Sequence, residues 1–317
     1  MPARDLTGQV LRAQSGFYTV ATDEGQYTAV IRGKLKQDRQ STGLATLGDL
    51  VTIRLLDRPE GDAGQVEAVV TDLLPRKSAL TRRAPGPRGA WLQDVLVANV
   101  DQLMPVFAAR DPEPHLRMLD RFLVVAESDD IPSVIVLNKI DLGAGAALAA
   151  AVEEYERIGY TVIQTSTKTG AGIAALRAAL AGRLSAVVGP SGVGKSSLLN
   201  LVEPGLDLRV GDVSDALHKG KHTTRVGQLH PLTGGGWVAD TPGVREMGLW
   251  DVDPGELEWG FLEFRPFLNA CRFPNCTHVH EPNCAVRKAV EQGTISAERY
   301  ESFKRLMVEE DESTTAD

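Results

Sequence analysis

The residues that could do chemistry begin with a nine-residue run. Gly189-Pro190-Ser191-Gly192-Val193-Gly194-Lys195-Ser196-Ser197 fits the pattern G-x-x-x-x-G-K-[ST]. An apolar segment, Ala186-Val187-Val188, enters it, and a helical segment, Ser197-Leu198-Leu199-Asn200-Leu201, leaves it. Glycines let the backbone curl until its N–H groups converge on phosphate oxygens. The start of the following helix adds its positive dipole end. In such a loop Lys195 reaches the β- and γ-phosphates, and the Ser196 hydroxyl binds Mg²⁺. The pattern specifies nucleotide phosphate but not the base.

A second motif specifies the base. Asn138-Lys139-Ile140-Asp141 follows the strand-like run Val134-Ile135-Val136-Leu137. A carboxylate there accepts from both the N1–H and the 2-amino group of guanine, and adenine offers neither. Ligands bind at the carboxyl ends of strands in open α/β sheets, so the position suits the role. Asn138 and Asp141 thus argue for GTP and against a P-loop ATPase or kinase. After the next strand-like run comes Gln164-Thr165-Ser166-Thr167-Lys168. Ser166, Thr167 and Lys168 resemble the S-A-K loop that touches the guanine carbonyl through backbone N–H, with Thr167 in place of the usual alanine.

Two further elements lie downstream of the phosphate loop. Asp240-Thr241-Pro242-Gly243 fits D-x-x-G, in which Asp240 holds Mg²⁺ through water and the Gly243 N–H senses the γ-phosphate. Before it stands Lys219-Gly220-Lys221-His222-Thr223-Thr224-Arg225. A threonine there can complete the Mg²⁺ shell and close with the γ-phosphate. We take Thr224 with Ser196 and Asp240 as the Mg²⁺ set, and Thr223 remains the alternative. Ras-type enzymes orient the attacking water with a Gln directly after D-x-x-G. Here that position is Val244, which cannot. His222 is the candidate instead, since an imidazole near neutral pKa can orient water or take its proton. Contact with RNA and capping of a loop are the competing roles for His222.

The order of these elements is rotated. In ordinary GTPases the base reader follows D-x-x-G, whereas here Asn138 precedes Lys195 by 57 positions. Rotation preserves strand neighbours when the old termini lie close together. It also makes the segment after D-x-x-G lead directly into the C-terminal part of the chain.

That part carries a metal-ligand pattern. Cys271-x4-Cys276-x-His278-x5-Cys284 supplies three thiolates and an imidazole within 14 residues. A tetrahedral Zn²⁺ site takes this set, and four protein ligands make it structural, not catalytic. His280 competes with His278, and spacing does not decide between them.

The elements that must position these residues fall into three stretches. Residues 8 to 72 read as five short β-branched or alternating strands, which fits an OB-type barrel and equally an SH3-like one. Residues 75–90 hold Pro75, Pro85, Gly86, Pro87 and Gly89 with Arg76, Lys77, Arg82, Arg83 and Arg88. They read as a basic linker, either a solvated loop or an RNA contact. From 91 to 245 buried-strand runs alternate with helical patterns, implying a parallel sheet covered on both faces. Beyond 255 the text turns mainly helical, with Ile295, Tyr300, Phe303, Leu306 and Met307 as a packing face and an acidic, frayed end from Glu309. The expected organisation is a barrel over 1–74, a circularly permuted P-loop GTPase domain over 75–250 and a zinc-binding domain over 251–317.

Formal net charge is -8, a weak argument against nonspecific nucleic-acid binding, although local patches outweigh the total. The N-terminus lacks a signal-peptide pattern, no apolar run approaches a membrane span, and an odd number of cysteines makes a poor disulfide framework. A cytoplasmic protein with no membrane partner is expected, and nothing demands more than a monomer.

Taken together, the permuted order, the barrel and the cysteine cluster closely resemble the RsgA/YjeQ family of circularly permuted GTPases. The residues that carry the likeness are Ala98-Asn99-Val100-Asp101-Gln102, Asn138 to Asp141, Gly189 to Ser197, Gly220-Lys221-His222-Thr223-Thr224, Asp240 to Gly243, and the four candidate zinc ligands. The family often has arginine where Lys219 and Lys221 stand. The resemblance implies an OB-fold that contacts ribosomal RNA and a zinc domain that contacts the small (30S) ribosomal subunit. It also implies a role in late maturation of that subunit, slow intrinsic GTP hydrolysis stimulated by it, and no DNA partner. An RNA-binding assembly module in which nucleotide only stabilises the fold is the competing class. Lys195, Ser196, Asp240, Thr223 and Thr224 favour the enzyme.

Overall fold

The structure is a computed structural model that describes residues 4–32, 45–60, 66–85, 91–208, 227–240 and 257–315. The N-terminal strands are β1 (Asp5–Gln14), β2 (Phe17–Thr22), β3 (Gly25–Ile31), β4 (Leu50–Glu60) and β5 (Val66–Leu73). They pair in the order β1-β2-β3-β5-β4, and β4 returns to β1 to close the ring. The β3–β5 pairing is parallel and the others are antiparallel. This closed five-stranded order is that of an OB barrel, which decides between the two barrels the sequence allowed. Alternate side chains turn inward, so Val10, Tyr18, Val20, Ala29, Val51, Ile53, Ala68 and Val70 form its core.

Much of the expected basic linker is instead a hairpin. Strand β6 (Ala79–Pro85) pairs antiparallel with β7 (Trp91–Ala98) from Ala79↔Ala98 to Pro85↔Trp91. Pro85 is tolerated because it ends an edge of a two-stranded sheet, where no further ladder bond is needed. Leu80 and Val97 are fully buried, which anchors the hairpin to the main core. Arg76 is no free cation either. Its guanidinium clasps the buried Asp49 carboxylate through two bonds of 2.7 and 2.8 Å. Asn99, with φ of 55°, donates to the Gly48 carbonyl at 2.9 Å and accepts from the Lys77 N–H at 2.9 Å. Barrel and hairpin are therefore stapled to the start of the central domain.

The central sheet runs β10 (Thr161–Gln164), β9 (Val134–Asn138), β8 (Gln102–Ala108), β11 (Arg183–Val188), β13 (Gly236–Asp240), β12 (Gln228–Pro231). All are parallel except β12, which pairs antiparallel with β13. Strands β8 and β9 are buried on both faces and read as near-continuous apolar runs for that reason. The helices are α1 (Leu116–Ser128), α2 (Ala146–Ile158), α3 (Ile173–Leu180) and α4 (Lys195–Val202). The barrel continues this sheet, since β1 meets β12 at Arg12↔Gln228.

The C-terminal unit consists of short turns, α5 (Ala285–Glu291) and α6 (Ala297–Thr315). The backbone stays helical to Thr315, so the fraying expected from Glu309 is not seen there. Phe261, Phe264 and Phe303 join Phe107 and Phe122 in one buried cluster, so this unit packs on the helices of the central domain.

Candidate nucleotide and metal sites

The parallel strands end at one edge of the sheet, and there the motifs converge. The loop after β11 requires glycine. At Gly189, with φ of 132°, a Cβ would lie 2.1 Å from the Val106 carbonyl oxygen. At Gly194, with φ of 96°, it would lie 2.5 Å from the Asn138 side-chain nitrogen. Both positions combine left-handed backbone with contact to fixed neighbours. Val193 is buried, while Ser191 and Gly192 are exposed and Pro190, Ser196 and Ser197 are partly so. Lys195 is the first residue of α4, and its Nζ donates to the carbonyls of Gly189 at 2.6 Å and Pro190 at 2.7 Å. The ammonium thus sits across its own loop.

Base reader and phosphate loop touch. Asn138, fully buried at the end of β9, donates through Nδ2 to the Val193 carbonyl at 2.8 Å. Its Oδ1 accepts from the Thr165 hydroxyl at 3.2 Å. Ser166 donates to Asp141 Oδ1 at 2.6 Å, and its oxygen also accepts the N–H groups of Lys168 and Thr169 at 3.2 Å. The Ile140 N–H reaches the Thr165 carbonyl at 3.2 Å. Residues 138–141 and 165–168 therefore form one hydrogen-bonded unit, with Asp141 exposed at its surface. Lys139, with φ of 60°, extends its ammonium to the Asp111 carbonyl. Thr165 and Asp111 were not among the expected site residues. Thr165 was legible only as a neighbour of Ser166, and Asp111 is used through its backbone, which carries no residue signal.

Asp240 ends β13, one residue beyond the Ala186↔Ala239 pair, and so stands at the same sheet edge as Gly189. His222, Thr223, Thr224 and Gly243 lie outside the described residues. A cavity of about 420 Å³ lined by Arg177, Glu203, Leu232 and Thr233 lies at the opposite edge, where the parallel strands begin. Ligands of open α/β sheets bind at the carboxyl ends, so this cavity is not the nucleotide site.

The four candidate metal ligands also converge. One donor atom from each of Cys271, Cys276, His278 and Cys284 lies within 4.8 Å of the other three. His278 presents Nδ1 to the sulfurs of Cys271 at 3.5 Å and Cys284 at 3.3 Å. Its ring is buried, whereas the His280 side chain is 81% exposed, which decides between the two histidines. Burial pushes the Cys276 thiol up to about 12; the neighbouring Cys284 and Cys271 sulfurs add to this, while the His278 backbone N–H opposes it. Packing three sulfurs and an imidazole this closely suits a dication that holds them as thiolates. The donor set fits tetrahedral zinc with no open position.

Comparison with known proteins agrees with this layout. The RsgA GTPase family matches residues 73–250, and the RsgA N-terminal domain matches residues 7–62. The chain is 48% identical to the small ribosomal subunit biogenesis GTPase RsgA of Gemmatimonas aurantiaca, over 95% of this chain and 96% of that one. It is 42% identical to the protein of the same name from Moorella thermoacetica, over 96% and 97%. The crystal structure of YjeQ from Thermotoga maritima superposes with a TM-score of 0.76 at 35% identity, covering 97% of this chain and 99% of that one. YloQ, described as a circularly permuted GTPase, superposes with a TM-score of 0.74 at 30% identity, covering 98% and 96%. The chain belongs to the RsgA GTPase family.

Proposed function

We propose that this protein hydrolyses GTP as a switch in the biogenesis of the small ribosomal subunit. One observation carries the GTPase reading: the Asn138 bond to Val193 locks a guanine reader to a phosphate loop although the chain presents them in inverted order. The ribosomal role rests on the names of the relatives, which are small ribosomal subunit biogenesis GTPases over nearly the whole chain. Residues 1–74 form the ribosomal-RNA-binding barrel, 75–250 the GTPase domain and 251–317 the zinc-binding domain of a cytoplasmic monomer.

Guanine is held by Asn138, Lys139, Ile140 and Asp141 together with Ser166, Thr167 and Lys168. Asp141 has one carboxylate oxygen on Ser166, which orients the group for the base edge. Residues Gly189 to Ser197 cradle the phosphates, and the carbonyls of Gly189 and Pro190 hold Lys195 where phosphate oxygens would replace them. Ser196, Thr224 and Asp240 would hold Mg²⁺, which would offset the charge of the phosphates. Thr223 and Gly243 would close on the γ-phosphate. In hydrolysis a water oxygen bonds to the γ-phosphorus while the bond from that phosphorus to the β–γ bridging oxygen breaks. GDP leaves with the electron pair, stabilised by Lys195. His222 orients the water and takes its proton, which then passes to solvent. Val244 cannot do this, so turnover depends on bringing His222 to the phosphate. A ribosomal subunit that brings His222 to the phosphate would stimulate the enzyme.

The test is GTP turnover with and without purified small ribosomal subunits. Stimulation that His222→Ala abolishes while GTP still binds supports the reading, with Lys195→Ala inactive in both conditions. Absence of stimulation overturns the ribosomal role.

A further inference from the structure

We infer that Glu258 is a positioning residue of the metal site, holding the ligand His278 through its second ring nitrogen. The inference rests on the reading of Cys271, Cys276, His278 and Cys284 as zinc ligands. With Nδ1 turned to the sulfurs, His278 places Nε2 2.8 Å from Glu258 Oε2. An imidazole that ligates through one nitrogen carries its proton on the other, and a carboxylate accepting that N–H fixes the tautomer and raises ligand basicity. The backbone of His278 is held as well. The Tyr300 hydroxyl donates to the His278 carbonyl at 2.7 Å, and His278 itself has a φ of 62°, a conformation that needs such support. No short motif announces Glu258, which lies 20 residues before its histidine.

Its place in the chain gives the contact a second consequence. Glu258 follows the buried Leu257 at the point where the segment leaving D-x-x-G reaches the C-terminal unit. The hydrogen bond to His278 therefore ties the far end of that segment to the metal site.

The experiment uses the full chain and its Glu258→Ala and Glu258→Gln variants. Zinc content is measured by atomic absorption, and Zn²⁺ affinity by competition with a chromophoric chelator. Co²⁺ exchange reports the ligand set through its visible spectrum. The wild type is expected to hold one zinc. Glu258→Ala should bind it about 10- to 100-fold more weakly with the same Co²⁺ bands, because the four ligands are unchanged. Glu258→Gln, whose side-chain oxygen can accept the same N–H, should recover part of the loss. Equal affinity in wild type and Glu258→Ala overturns the role of Glu258, as does a Glu258→Gln affinity no better than that of Glu258→Ala. A wild type that holds no zinc overturns the metal reading on which it rests.

Discussion

Asn138 and Val193 are 55 residues apart and joined by a 2.8 Å hydrogen bond from side chain to backbone. The bond spans the two halves that permutation exchanged, so it does for this chain what proximity in space does for an unpermuted one. Both groups are buried, and neither has water to fall back on. Asn138→Ala leaves the Val193 carbonyl and the Thr165 hydroxyl without this partner. We expect a loss of about 1–3 kcal/mol in stability. Affinity for a fluorescent guanine nucleotide should fall alongside. Urea denaturation and nucleotide titration measure the two effects, and unchanged values in both would mean the bond does not hold the site.

Gly189 makes a sharper case. Its φ of 132° and the Val106 oxygen 2.1 Å from any Cβ leave no room for a side chain. That oxygen belongs to β8, the neighbour of β11, so it cannot swing aside without opening the sheet. Gly189→Ala should abolish nucleotide binding and lower stability by more than the roughly 1–3 kcal/mol of backbone strain alone. Gly159 also has positive φ, at 120°, but a methyl group there would meet nothing within 4 Å. Gly159→Ala should show the strain cost and keep nucleotide affinity. Equal losses in the two variants would exclude the steric argument.

What could be read beforehand follows from how local each requirement is. Phosphate and guanine recognition need particular residue types at fixed spacing, so Gly189 to Ser197 and Asn138 to Asp141 could be read as candidates from the sequence. The strand runs of β8 and β9 could be read too, because burial on both faces leaves an unbroken apolar text. The choice of His278 over His280 was not available, since both lie within reach of the cysteines and only packing buries one. The hairpin at Ala79–Ala98 was missed because Pro85 and Pro87 read as breakers, while the pairing that rescues the strand comes from Trp91 onward. Arg76 looked free for RNA because its partner Asp49 lies 27 residues away. Glu258 failed to register for the same reason: a tertiary partner has no local signature.

Acid should release one such tertiary tie selectively. Glu203, at the end of α4, accepts the Thr233 N–H at 2.6 Å and its hydroxyl at 2.8 Å, fastening the turn between β12 and β13. The backbone N–H bond, then the hydroxyl bond, hold this carboxyl below the ordinary glutamate value. A carboxyl whose folded value is depressed stabilises the fold above its unfolded value, about 4.3, and loses that contribution as pH falls through the folded value. Thermal melts of wild type and Glu203→Gln should therefore differ at pH 7, with wild type higher, and converge as the pH falls through the folded value. A difference that does not shrink as the pH is lowered through the folded value would assign the effect to shape, not charge.

Arg299 on α6 is the deepest tie between the C-terminal unit and the central domain. Its guanidinium meets Asp120 of α1, which also accepts the Tyr155 hydroxyl of α2 at 2.6 Å. Through Nε it reaches Glu263 at 2.7 Å, and it lies 4.5 Å from the centroid of the Phe261 ring. Arg299, Asp120 and Glu263 are all nearly inaccessible, with side chains 4–6% exposed. Buried charges are tolerated only in company, and removing the shared cation strands two carboxylates. Arg299→Met should cost about 3–5 kcal/mol, and Arg299→Lys should recover little because a point ammonium cannot satisfy both acids at once. Adding Asp120→Asn to Arg299→Met should restore part of the loss, since one stranded charge is then neutral. Guanidinium denaturation of wild type, the three single variants and the double variant measures each step. Strict additivity of Asp120→Asn and Arg299→Met would show that the two residues are not energetically coupled. Coupling of the expected size would mean that the C-terminal unit is held on α1 through Asp120.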